Sequence, residues 1–97
     1  MSRSAFLVCY DIADDRRRTS VYELCRGYGE RLQYSVFRCH LDRSERLRME
    51  AALRPMIHHE QDQILFVDLG PVEGRARVCV SYLGKRYTPP DDGPVIL

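Results

Sequence analysis

The chain has 97 residues, 15 of them basic and 14 acidic, for a net charge of +1. That length holds one domain and excludes a second core, and a charge so near neutral does not by itself announce a polyanionic partner. No apolar run approaches the roughly 18 residues of a membrane-spanning helix, and the first residues lack the apolar core of a secretory signal, so a cytoplasmic location is expected.

Ala5 to Tyr10 is the first strand candidate, and its apolar run ends on Asp11. A helix should open at Asp14 or Asp15, since either carboxylate can accept from the first free N–H groups. Val21, Leu24, Cys25 and Tyr28 then fall at i, i+3, i+4 and i+7, a helical stripe that Gly27 and Gly29 are expected to end. Leu32 to Leu41 alternates as a single strand, with Tyr34 and Val36 on one face and Gln33, Ser35 and Phe37 on the other. Asp42 and Glu45 fit a capping box for a second helix. Its stripe is Met49, Ala52, Leu53 and Met56, and Pro55 should kink or close it. His58 to Asp62 reads as a polar connection, Ile64 to Leu69 as a third strand stopped by Gly70-Pro71, and Arg75 to Leu83 as a fourth, hairpin-paired with the third.

These elements predict an α+β domain over residues 1–87, ferredoxin-like and of βαββαβ type with a modified order, its two helices on one face of one sheet. The other face would be uncovered. Leu7, Cys9, Phe37 and Cys79 are expected to line it, and a second copy of the chain is the simplest cover. Residues 88–97 form a turn-rich linker ending in Val95-Ile96-Leu97, three apolar residues suited to a short strand on a sheet edge of this subunit or its partner, or else to a frayed tail.

The chemistry concentrates at Asp11 and the arginines that follow it. A carboxylate at a strand end can hold a divalent cation, while Arg16, Arg17 and Arg18 can hold an anionic backbone or simply form a solvated helix start. Asp14 and Asp15 already serve as caps, which leaves Asp11 without that role. One aspartate makes a poor metal site, but two copies about a twofold axis would bring two. Lys85 is the only lysine among the basic residues. A bias to arginine fits both phosphate recognition and a GC-rich coding sequence. Cys9, Cys25, Cys39 and Cys79 show no metal spacing and read as small hydrophobes. His40, His58 and His59 have no partner at metal spacing and are given no role.

Tyr10-Asp11-Ile12, the acidic-basic start Asp14 to Arg18, and the string Tyr28-Gly29-Glu30-Arg31-Leu32-Gln33-Tyr34-Ser35-Val36-Phe37 resemble the signature of the CRISPR-associated protein 2 family. The resemblance implies a homodimer with its sheets face to face. It further implies one Mg²⁺ (or Mn²⁺) shared by Asp11 of both subunits, with Tyr10 and Phe37 as catalytic neighbours and Arg18 and Arg31 beside Arg16 and Arg17 as nucleic-acid contacts. Members are described as metal-dependent endonucleases on RNA or double-stranded DNA, and as dimeric adaptors that bridge the CRISPR integrase subunits in spacer acquisition. Two positions depart from the pattern. Ser20 stands where some members carry a basic residue, and Arg38 follows Phe37 where an acidic residue is common.

Overall fold

Strand pairing decides the layout. The computed structural model describes residues 2–85, and in it the chain runs β1 (Ser4–Asp11), α1 (Asp15–Tyr28), β2 (Gly29–Gln33), β3 (Val36–Leu41), α2 (Arg43–Leu53) and β4 (Gln63–Pro71). The sheet order is β2-β3-β1-β4, and every neighbouring pair is antiparallel. This is the expected α+β class with two helices and one sheet, in the regular βαββαβ order and not the modified one. Among the described residues no helix is long and apolar enough to cross a membrane. The boundary expected at residue 87 and the tail 88–97 lie outside the described residues.

Both helix starts follow from their side chains. The Asp14 carboxylate accepts from Arg17 N at 2.9 Å, and Asp42 and Glu45 close the full capping box at 2.8 Å in each direction. Gly27 lies inside α1, which continues to Tyr28 and ends at Gly29. Gly29 is glycine because of contact, not backbone angle: a Cβ there would sit 2.2 Å from Arg38 O and 2.7 Å from Cys39 Sγ. Helix therefore passes into strand with no loop. α2 closes in a 3₁₀ turn at Arg54–Met56 that contains Pro55.

The core lies between the helices and one sheet face. Phe6, Val8 and Tyr10 of β1 and Phe37, Cys39 and Leu41 of β3 meet Val21 and Cys25 of α1 and Met49 and Leu53 of α2. Burial pushes the Cys25 and Cys39 thiols up, to about 12 and about 11. They stay neutral and pack as small apolar groups. Cys79 instead is exposed.

Three expectations are corrected. Leu32 to Leu41 is a hairpin, β2 and β3 joined at Tyr34-Ser35. Neither turn residue has positive φ, so the turn carries none of the Gly or Asn that ordinarily marks one. Phe37 opposes Val8 and is 1% exposed, so it packs beneath the helices and not on the open face. Arg75 to Leu83 is not a fourth strand: past β4 the chain folds back through Pro71–Gly74 into a 3₁₀ turn, Arg75–Val78, and among the described residues β4 stays at the sheet edge, paired with β1. Ala76 is buried there beside an equally buried Ala5. Gly70, at φ +93°, sits just past the bulge where β1 and β4 slip register. A side chain would strain that backbone.

The register leaves an apolar stripe on the face away from the helices. Leu7 opposes Val67, and Cys9 opposes both Leu65 and Val36. Leu65 and Val67 are 47% and 41% exposed.

Candidate functional site

One end of the sheet gathers most of the candidate residues. Asp11 closes β1 and is exposed, paired in register with Gln63. Alternation along β1 puts it on the open face with Leu7 and Cys9. Tyr10, one residue earlier, faces the helices and is 6% exposed, its ring stacked on that of Phe37 at 6.3 Å. Burial pushes the Tyr10 phenol up to about 12. Tyr10 and Phe37 thus lie on the side of the sheet opposite the Asp11 carboxylate, where they fix the strand that presents it.

The turn from β1 into α1 is held from across the domain. The Asp62 carboxylate accepts from Ala13 N at 2.9 Å, from His58 N at 2.8 Å, and from the Arg17 guanidinium at 2.7 and 3.2 Å. Its side chain is fully enclosed. The Arg17 hydrogen bond, followed by the two backbone donors, holds this carboxyl well below the usual carboxylate range. Asp62 is thus a structural anchor two residues along the chain from Asp11 through Ala13. In the sequence Asp62 belongs to a polar connection, and a lone aspartate before a strand carries no signal of this role.

The arginines at and near this end have distinct surroundings. Arg16 is exposed on the first turn of α1. Arg17 is engaged by Asp62 and reaches Gln61 Oε1 at 3.3 Å. Arg18 donates to Ile12 O at 2.8 Å and pairs with Asp15. Arg31 donates from Nε and Nη2 to Tyr34 O at 3.1 and 2.9 Å, with its guanidinium 4.6 Å from the Tyr22 ring and 5.1 Å from the Tyr34 ring. Arg38 pairs with Glu30 on the open face at 3.1 Å. His40, His58 and His59 are all exposed.

Among the described residues no three His, Cys, Asp or Glu side chains cluster as a metal site. Asp11 offers a hard oxygen donor that suits Mg²⁺, an ion that keeps several of its waters and needs only one or two carboxylates. The donor set fits such an ion only if a second carboxylate or other oxygen ligands join it.

Residues 4–75 match the family model for CRISPR associated protein Cas2. A relative from Rhodospirillum rubrum, named CRISPR-associated endoribonuclease Cas2 1, is 42% identical over 83 residues, which is 86% of this chain and 80% of the relative. One from Geobacter sulfurreducens, named CRISPR-associated endoribonuclease Cas2, is 40% identical over 84 residues, 87% of each chain. Among solved structures, that of Streptococcus pyogenes Cas2 is similar at TM-score 0.69 and 33% identity, covering 82% of this chain and 99% of that one.

Proposed function

The chain belongs to the CRISPR associated protein Cas2 family, and from that premise we propose that it is a cytoplasmic, Mg²⁺-dependent endonuclease of CRISPR adaptation that acts as a homodimer. The observation that carries the reading is Asp11: an exposed carboxylate at a strand end, on the rim of an apolar sheet face. Covering that face with a second copy brings a second Asp11 to the same seam, which supplies the missing ligand. RNA is the first substrate class, because the relatives are named endoribonucleases. Double-stranded DNA is the second.

Bound Mg²⁺ would supply positive charge at the scissile phosphodiester and lower the pKa of a coordinated water. The chain's own part is to fix Asp11. Tyr10 and Phe37 lock β1 from below, and Asp62 holds the turn beyond it. Arg16 is the side chain best placed to meet a flanking phosphate, with Arg18 on the same helix turn and Arg31 at the same end of the sheet. Asp11→Asn keeps size and hydrogen bonding but removes the charge the ion needs. Cleavage of labelled RNA should fall at least ~100-fold while the dimer and RNA affinity persist. Undiminished cleavage would overturn the site. A wild type that binds duplex DNA without cutting RNA or DNA would leave the other family role, a non-catalytic adaptor bridging integrase subunits.

A further inference from the structure

Tyr34 is 64% exposed, although large aromatics are ordinarily at least half buried. It stands at the first position of the β2–β3 turn, where its ring packs on one side against the Arg31 guanidinium at 5.1 Å. Arg31 is itself held there, because Nε and Nη2 both donate to the Tyr34 carbonyl and the Tyr22 ring lies 4.6 Å away. Tyr22, Arg31 and Tyr34 therefore form a stack of ring, guanidinium and ring, ending in an aromatic plane open to water. The backbone places this plane at the same end of the sheet as Asp11, on the helix side where Arg31 pairs in register with Phe37: Ser35 O accepts from Tyr10 N at 3.1 Å, so Tyr34 and Asp11 each lie one residue from that bond.

We propose that Tyr34 is a stacking platform for one unpaired base of a nucleic acid bound at this end of the sheet. The inference rests on the reading that Asp11 and the α1 arginines receive the backbone, and it names the substrate's local state: single-stranded where it passes the β2–β3 turn. Every base has a π-face, so the contact is tolerant of sequence, and a ring already fixed by Arg31 loses little freedom on binding. A base within an intact duplex is stacked and paired on all sides and cannot reach a lone ring on a turn.

The test is binding in EDTA, where no cleavage occurs, using a short single-stranded RNA with one 2-aminopurine and a blunt RNA duplex of the same length. The wild type should bind the single strand and quench its fluorescence. Tyr34→Ala should weaken that binding by about 5- to 100-fold and abolish the quench. Tyr34→Trp and Tyr34→Phe should restore both, and duplex affinity should change by less than about twofold across the series. Four results would overturn the proposal: wild type without quench, Tyr34→Ala equal to wild type, equal losses on single strand and duplex, or no rescue by Trp. The Asp11→Asn cleavage assay reports separately, so a failed metal site with an intact quench, or the reverse, is distinguishable.

Discussion

Arg17 and Asp62, 45 positions apart in sequence, form a two-point ion pair, Nε to Oδ2 at 2.7 Å and Nη2 to Oδ1 at 3.2 Å. The pair ties the first turn of α1 to the approach of β4, and the turn carrying Asp11 runs between them. It also divides the arginine cluster by task. Arg17 has its fork occupied by a carboxylate, whereas Arg16, next to it, is exposed.

That division predicts unequal salt dependence. A cation that neutralises a phosphate releases counterions, so its loss flattens the dependence of log K on log salt by about 0.9 per contact on duplex and about 0.7 on single strands. Arg16→Ala should lower the slope by about that amount across unrelated sequences. Arg17→Ala should barely change the slope but should lower the melting temperature, since it strands an enclosed carboxylate. Filter binding at several salt concentrations, with thermal melts alongside, checks both. A slope change larger for Arg17 than for Arg16 would mean that Asp62 yields Arg17 to the nucleic acid.

Where sequence reading succeeded, local chemistry was self-sufficient. Asp14, Asp42 and Glu45 cap the helices by contacts within three residues, and the stripes of Val21 and Cys25 or Met49 and Leu53 report burial directly. Where it failed, the deciding contact was distant. Tyr34-Ser35 looks like mid-strand because alternation runs through it and nothing there requires positive φ. Val78, Val80 and Tyr82 alternate like a strand, yet the chain after β4 turns into the 3₁₀ helix Arg75–Val78, which takes Val78 out of an extended run. Asp11 was legible from its place at the end of an apolar run. Asp62 was not, because its three partners come from residues 13, 17 and 58.

Glu45 gives a pH dependence with a definite sign. The Arg3 fork, at 2.9 and 2.7 Å, and the Asp42 N–H lower its carboxyl to about 2. The unfolded chain, with an ordinary glutamate near 4.3, takes up the proton at higher pH than the folded one. The stabilisation is therefore complete above about pH 5 and is lost as pH falls toward about 2. Glu45→Gln should melt below wild type at pH 7 by no more than a few degrees, because the pair is partly exposed and screened. That gap should narrow steadily by pH 3. A gap that widens on acidification would show that the charge is not what Glu45 contributes.

The open sheet face yields the sharpest test of assembly. Leu7, Cys9, Val36, Leu65 and Val67 lie together on it by register, and Leu65 and Val67 are 47% and 41% exposed in the single chain. Apolar area removed from water stabilises by about 25 cal/mol per Å², so a face of this kind favours a second copy, whereas scattered apolar residues elsewhere do not. Light scattering of the wild type at micromolar concentration should give twice the 11.3 kDa chain mass. Leu65→Asp places a charge in the centre of the face without touching the helix-covered core, so it should halve the mass while leaving the far-UV spectrum unchanged. Leu47→Asp is the control, since Leu47 is 56% exposed on α2, a helix on the other side of the sheet. It should leave the mass unaltered. If two Asp11 carboxylates must meet to hold one ion, Leu65→Asp should also lose RNA cleavage in step with the dimer. A Leu65→Asp monomer that cleaves at the wild-type rate would show that one chain suffices and that the shared ion is not required.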